Sequence, residues 1–167
     1  MKYKAIDEME HFGFRDAKII EFERSDAGLK LVLEAVIVKA NNSQNSNYTD
    51  SYAGELTMRL VGGKIQKGVR EGYKYYDAND VLVEEVPDTP LTEDEITALL
   101  AGAKDDYLFD VAKVNDAENK TGHFLYLFGI DVPGESDEDE IVSYWLQIEF
   151  AQSILEWDRY MNRVQYT

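Results

Sequence analysis

The sequence predicts an α+β domain that is mainly antiparallel, with two β-meanders forming a sandwich or an open barrel and one capped helix near residues 92–101. Apolar and polar side chains alternate over several short segments, which is typical of antiparallel strands with one buried face. Tyrosine is frequent, with 11 copies in 167 residues, and tyrosine and β-branched residues favour sheet. Only one segment carries a full set of helix signals, which argues against a doubly wound sheet.

The first meander begins with two strands joined by a tight turn. Residues 17–24 and 28–39 have strand composition, and Ser25-Asp26-Ala27-Gly28 lies between them. Asp-Ala-Gly with a final glycine suits a short hairpin connection. Three leucines of the second strand recur at every second position and should share the buried face: Leu29, Leu31 and Leu33.

The middle of the chain predicts a polar loop and then further strands. Residues 40–51 are polar and predict a surface loop, and residues 54–62 predict the third strand. Two more strands are expected at 64–70 and 72–76, with a continuation at 81–86. One face of the third strand should be buried through Leu56, Met58 and Leu60.

The helix is predicted from its boundary residues. Thr92 is a good N-cap, and Glu95 three residues later completes a capping box. Acidic residues in the first turn favour the positive end of the helix dipole, and Gly102 stands where a C-terminal glycine belongs. The buried stripe should consist of Ile96, Leu99 and Leu100.

After the helix the first pattern recurs, so we expect one domain over 1–167 with a structural repeat between residues 12–60 and 106–150. The segments overlay without a gap when Asp16 is placed on Asp110. Any two meanders share part of this pattern, so two unrelated meanders remain the alternative. The C-terminal segment 151–167 either extends the last strand or forms a closing helix. Helical spacing of three apolar residues favours the helix: Ile154, Trp157 and Met161.

Charge and composition bound the function. Thirty-three acidic residues against 17 basic ones give a net charge of −16, which repels nucleic acid and anionic lipid and attracts cations and basic proteins. Solubility alone is the alternative explanation. With no cysteine, disulfides, thiolate zinc and cysteine nucleophiles are excluded. Neither a signal peptide nor an apolar run of membrane-spanning length is present, so we expect a cytoplasmic protein without a membrane partner.

No catalytic, cofactor or metal motif stands out, so we expect a protein that is not an enzyme. His11 and Asp16 suggest a base and its orienting acid, but no nucleophile motif accompanies them. The structural interpretation places Phe12 and Phe14 inward and His11 outward. The acidic loop 133–141 lacks the glycine and the final glutamate of an EF-hand, so we predict no dedicated cation site there.

An acidic stretch interleaved with tyrosines is the best candidate for a binding surface. From Asp77 to Asp110 the chain has eleven acidic residues and one basic residue, Lys104. Such clusters steer basic partners, and tyrosines supply contact area at little entropic cost. A solvated helix face is the alternative. The predicted partner-binding residues are Tyr73, Tyr75, Tyr76, Asp77, Asp80, Glu84, Glu85, Glu93, Asp94 and Glu95.

Residues 11–60 resemble a class of small bacterial domains, some of which are immunity proteins of polymorphic toxin systems. The resemblance is carried by Phe14-Arg15-Asp16-Ala17, an aromatic residue and a basic residue followed by Asp-Ala and a strand. Arginine stands where histidine is common in that class. The resemblance implies a non-catalytic protein that binds and blocks a toxin, and it transfers no binding residue.

The favoured function is therefore protein binding through the acidic, tyrosine-bearing surface, with a basic protein, such as a toxin, as the partner. A small-ligand binder or enzyme is the first alternative, and it requires a pocket that gathers Asp16, Asp110 and a histidine. A structural or self-associating subunit is the second, and it requires an uncharged apolar patch.

Overall fold

The computed structural model describes residues 1–114, 123–134 and 140–164. A 3₁₀ turn spans Met9–His11, and the α-helix α1 spans Glu93–Ala101. The strands before the helix are β1 (Tyr3–Ile6), β2 (Phe12–Gly13), β3 (Lys18–Ser25), β4 (Gly28–Glu34), β5 (Ile37–Val38), β6 (Ser51–Ala53), β7 (Leu56–Val61), β8 (Lys64–Arg70), β9 (Tyr73–Tyr76), β10 (Leu82–Val86) and β11 (Thr89–Pro90). Those after it are β12 (Tyr107–Lys113), β13 (Phe124–Val132), β14 (Val142–Phe150), β15 (Gln152–Trp157) and β16 (Tyr160–Arg163).

The strands form one large open sheet and two small ones. The large sheet has ten strands in the order β1-β15-β7-β4-β3-β12-β13-β14-β8-β11, and a second sheet has the order β16-β6-β5-β2. Among the described residues, strands β9 and β10 pair only with each other. Neighbouring strands in all three sheets are antiparallel. The predicted fold class is confirmed: an antiparallel β-sandwich with one helix.

The two meanders meet at the centre of the large sheet, where β3 pairs with β12 through Lys18 and Tyr107. The hydrogen bonds on either side are related by a local two-fold rotation. The amide of Asp16 donates to the carbonyl of Leu108 at 2.8 Å, and the amide of Asp105 donates to the carbonyl of Ile19 at 2.8 Å. Both aspartates have left-handed backbones, with φ of 68° and 72°.

This geometry pairs Asp16 with Asp105, five residues before the Asp110 that the sequence alignment places there. The difference arises because the connection before β13 is longer than the turn between β3 and β4, so equal spacing cannot be kept through both. Two meanders are present on either side of the junction, whereas a common origin of the two halves stays a prediction.

A continuous apolar face crosses both meanders. Cross-strand partners lie on the same side of a sheet, and the pairs Leu31–Met58 and Met58–Leu155 run across the first meander. Ile19 of β3 and Leu108 of β12 continue this inner face across the junction between the meanders. All of its largest members are fully buried, including Ile19, Leu31, Leu33, Leu56, Met58, Leu60, Leu108, Phe128, Ile130, Leu146, Leu155 and Trp157. The alternation predicted for β4 and β7 is confirmed.

Different elements cover the two halves of this face. The four-stranded sheet packs on the first meander, where the ring of Phe12 meets that of Trp157 at 5.7 Å. Helix α1 covers the other half, lying over β3 and β8. Its buried residues are Ile96 and Leu100, which are 3% and 7% exposed. A β-carbon at Gly68 would lie 3.0 Å from Leu91 and 3.2 Å from Ile96, so the absence of a side chain lets the helix approach β8 closely.

The helix boundaries are confirmed in detail. The Thr92 hydroxyl accepts from the amide of Glu95 at 3.2 Å, and the Glu95 carboxylate accepts from the amide of Thr92 at 3.0 Å. The amide of Gly102 donates to the carbonyl of Ala98 at 3.0 Å and closes the last turn. A capping box contributes about 1 kcal/mol to helix stability.

The closing helix predicted at the C-terminus is wrong. Residues 152–157 form β15, and β16 follows at 160–163. The buried residues recur at every second position, since Ser153, Leu155 and Trp157 are all 0% exposed. Pairing of β15 with both β1 and β7 selects this period of two over the helical spacing.

The outer face of the second meander contains a tight contact that yields a stability prediction. The Phe109 ring packs edge-on against Trp145, with centroids 4.8 Å apart, and it also covers Gly129, where a β-carbon would overlap the ring. We expect Gly129→Ala to lower the free energy of unfolding by about 1–3 kcal/mol, as measured by urea denaturation.

The matched control is Gly102→Ala. Its β-carbon would be 3.5 Å from the nearest atom, and its φ is −97°, so a change within about 0.5 kcal/mol is expected. In a Phe109→Ala background, Gly129→Ala should lose most of its cost. A full cost in that background would contradict the overlap with the ring.

Candidate functional site

Strands β9 and β10 form a hairpin over residues 73–86, called here the exposed hairpin, because every residue in both strands is solvent-exposed. Its turn is organised by Asp77. The Asp77 carboxylate accepts from the amides of Asn79 at 2.8 Å and Val81 at 3.1 Å, and the Asp77 amide donates to the Val81 carbonyl at 2.9 Å. Asp80 has a left-handed backbone with φ of 59°. Short polar side chains tolerate these turn positions.

The two faces of the exposed hairpin differ in composition. The cross-strand pairs place Tyr73 beside Val86 and Tyr75 beside Glu84 on one face. The Tyr73 hydroxyl donates to the Glu84 carboxylate at 3.2 Å, and this hydrogen bond raises the pKa of Tyr73. The other face has Lys74 within 3.8 Å of Glu85, with Tyr76 opposite Leu82 beside that pair.

Apolar surface on the exposed hairpin is extensive. Tyr75 and Val83 are each 61% exposed, and Tyr73 and Tyr76 are each 50% exposed. A two-stranded hairpin by itself is marginally stable in water. Its base is held where the amide of Gly72 donates to the Asp88 carboxylate at 2.7 Å. Exposed apolar surface concentrated on one element in this way is characteristic of an interaction site.

A groove of about 830 Å³ runs between the exposed hairpin and the start of β14. One wall is the face of the hairpin that bears Tyr73 and Tyr75, and the other includes Ile141 and Val142. Glu84 and Glu140 are both among its lining residues. Arg70 and Lys74 also line it, so the groove combines aromatic and aliphatic surface with three carboxylates and two basic side chains.

The three predicted acidic residues of the helix lie apart from the hairpin and are partly used by the fold. Glu93 pairs with Arg24 at 2.5 Å, and Glu95 caps the helix. Hydrogen bonds from Thr92 lower the pKa of Glu95. Arg70 acts electrostatically on both Tyr73 and Glu95, so the end of β8 lies between the hairpin and the helix start. Asp94 is exposed.

The polar residues near the N-terminus have structural surroundings. Phe12 and Phe14 are 4% and 5% exposed, whereas His11 is partly exposed and contacts Glu8 at 3.3 Å. Asp16 is exposed in the turn before β3.

Asp110 is exposed as well, and neither Asp16 nor Asp110 lines the groove or the helix cavity described below. The second histidine, His123, contacts Glu149 at 2.9 Å.

Over residues 1–114, 123–134 and 140–164, no group of three His, Asp or Glu side chains is arranged to hold a metal ion. Most of the acidic loop at 133–141, namely residues 135–139, lies outside the described residues. The interpretation of that loop therefore stays a prediction.

Sequence reasoning missed Asp106, which lies at the junction of the two meanders. Its side chain is on the inner face beside Ile19, and the residue is only 6% exposed. Burial raises the pKa of Asp106 to about 6, and the neighbouring Asp105 carboxylate adds to the shift. The available signal was its spacing of two from Leu108, which places both side chains on one face of β12 and its extension.

Asp106 lines a cavity of about 360 Å³ between α1 and the second meander, called here the helix cavity. The walls are contributed by the helix and by the facing ends of β13 and β14. The lining residues are mainly apolar and small: Leu91, Ala98, Leu99, Gly102, Val132 and Tyr144, with Glu95 and Asp106. This cavity is distinct from the groove beside the exposed hairpin.

No protein-family model matches the chain, and no curated protein or solved structure matches it significantly. Within the part of the chain that the structure describes, α1 and every other helical segment lack the length and apolarity of a membrane span.

Asp106 makes stability depend on pH. Its pKa is raised to about 6 from the usual 3.8, so the folded state binds a proton more tightly than the unfolded state. Stability from this group is therefore full below about pH 4 and lost as the pH rises towards 6. We expect the free energy of unfolding of Asp106→Asn, relative to the native protein, to increase by about 1 kcal/mol from pH 5 to pH 8.

Urea denaturation at several pH values measures this difference. Asp105→Asn is the matched control, because the Asp105 side chain is 63% exposed and lies one residue away. A gap between Asp106→Asn and the native protein that stays constant over this pH range would contradict the assignment.

Proposed function

We propose that this protein is a non-catalytic binding protein that docks a basic partner protein through the exposed hairpin and its groove. The supporting observation is the hairpin itself, whose strands are exposed on both faces although they carry three tyrosines. In its sharpest form, the partner is a toxin and the protein neutralises it. The resemblance at Phe14-Arg15-Asp16-Ala17 supports that form.

The chemistry of the hairpin suits a basic partner. Tyrosine rings provide large, rigid contact surfaces, and such residues often dominate binding energy. Asp80, Glu84 and Glu85 surround the rings with negative charge on a chain whose net charge is −16. Complementary charge accelerates encounter and fixes orientation more than it adds affinity.

Solubility explains the acidity but not the rest of the surface. A purely solubilising hairpin has no need of tyrosine and valine side chains that are half exposed or more, such as Tyr75 and Val83. Pairing with a second copy is disfavoured, because it would bring together two chains of net charge −16 and identical acidic hairpins. A basic partner would cover the exposed apolar area and would offset the negative charge.

Charge reversal tests the electrostatic part of the proposal. The experiment is affinity capture from source-cell lysate at about 50 mM salt. We expect the triple variant Asp80→Lys, Glu84→Lys, Glu85→Lys to capture at least about tenfold less of the partner protein than the native chain does. At about 500 mM salt the native chain should also hold less, because exposed charges are then strongly screened.

The matched control reverses three exposed carboxylates elsewhere on the molecule, Asp26, Glu55 and Asp158. It changes net charge equally and should retain the captured protein. If both triple variants lost the captured protein equally, the effect would be due to net charge and the hairpin proposal would be wrong. Equal retention by both variants would also contradict it.

The aromatic part is tested by Tyr75→Ser. Because the Tyr75 side chain is 61% exposed, its loss should change the free energy of unfolding by less than about 0.5 kcal/mol. Capture of the same protein should fall at both salt concentrations, since ring contacts are not screened. The readouts are thermal denaturation and quantified capture, and a stable variant with unchanged capture would remove the tyrosines from the interface.

A further inference from the structure

We propose that the helix cavity is a binding site for a small organic cation, namely a primary ammonium group carrying a compact apolar body. The site is separate from the exposed hairpin, and the inference does not depend on the proposed function. It rests on the combination of an open depression lined mainly by apolar side chains and a buried carboxylate that no described residue pairs with.

Asp106 lines the helix cavity and is its most deeply buried residue. Its backbone is fully engaged, because its amide donates to the Ala103 carbonyl at 3.0 Å and its carbonyl accepts from the Ile19 amide at 2.8 Å. The side chain stands on the inner face of the sheet, which is the face that α1 covers, and the residue is 6% exposed. No hydrogen bond or ion pair from the described residues reaches its carboxylate.

An unpaired buried carboxylate is costly, because the low-dielectric interior replaces its hydration without compensation. The charged neighbour that acts on Asp106 is Asp105, which repels it. A cation that entered the helix cavity would offset this cost and would gain a charge-assisted hydrogen bond. Among the described residues, the fold thus supplies no positive charge to balance the Asp106 carboxylate.

The walls select the rest of the ligand. Leu99 and Val132 present aliphatic surface, and Tyr144 adds an aromatic ring. Glu95 lies at the exposed side of the cavity, and its lowered pKa keeps it ionised, so a second carboxylate attracts cations and repels anions. A volume of about 360 Å³ accommodates a compact hydrocarbon group with an ammonium head.

A hard metal ion fits the helix cavity less well than an organic cation. Calcium takes six to eight oxygen ligands, and magnesium demands a near-octahedral set. The cavity offers two carboxylates, those of Glu95 and Asp106, among predominantly apolar residues. Hydrocarbon walls contribute nothing to metal coordination but stabilise an apolar body through burial.

The test uses 2-phenylethylammonium as the probe and 2-phenylethanol as its neutral counterpart. Binding to the full chain at about pH 7.5 is followed by the amide NMR shifts of Ala98, Gly102 and Val132. We expect saturable shifts for the ammonium compound and at least about tenfold weaker binding for the alcohol. Equal binding of the two compounds, or no shift with the ammonium compound, would overturn the proposal.

Two isosteric variants locate the charge. Asp106→Asn should weaken binding of the ammonium compound by at least about tenfold, whereas Asp105→Asn should leave it within about twofold. Asparagine tolerates the left-handed backbone at position 105, where φ is 72°. The two variants make the same change in net charge, so equal weakening would indicate nonspecific electrostatics and would contradict the assigned site.

The native protein supplies a readout that needs no variant. Lowering the pH from about 7.5 to 5 protonates Asp106, whose pKa is about 6, and should weaken the ammonium compound progressively. The alcohol should show little change over the same range. An ammonium affinity independent of pH would exclude the Asp106 carboxylate as the recognition group.

Discussion

The pairing of β3 with β12 is the interaction on which the rest of the structure depends. Each strand would otherwise be the edge of a separate meander, with unpaired amide and carbonyl groups open to solvent. The short pairing at Lys18 and Tyr107 joins the meanders into one sheet of ten strands. It is possible because the chain turns sharply on both sides, at Asp16 and Asp105, which both adopt left-handed backbones.

That junction also explains why a charged residue is buried in an apolar layer. Once β3 and β12 are paired, the inner face must pass through Asp106 as it runs from Ile19 to the second meander. Helix α1 then covers the same face and forms one side of the helix cavity. The electrostatic cost of burying Asp106 is thus a consequence of joining the two halves. A bound cation would offset that cost, and the carboxylate would make the site selective for cations.

The exposed hairpin follows the opposite logic. It lies outside the large sheet, where β9 and β10 pair only with each other and gain little from the core. Its tyrosines therefore contribute little to folding, while its four carboxylates outnumber its single basic residue, Lys74. Apolar surface left out of a core, and surrounded by mainly negative charge, is suited to a partner of complementary composition.

Local patterns determined much of the fold. Alternation assigned the buried leucines of β4, and the Thr92–Glu95 capping box assigned the helix start, because both depend on neighbours within a few residues. The sequence also marked the tyrosines and carboxylates of the hairpin as surface candidates. Tertiary structure alone decided that Trp157 lies in a strand and that Asp106 is buried while Asp105 is exposed. Those outcomes depend on which distant strand pairs with which, since pairing selects both the period and the buried face.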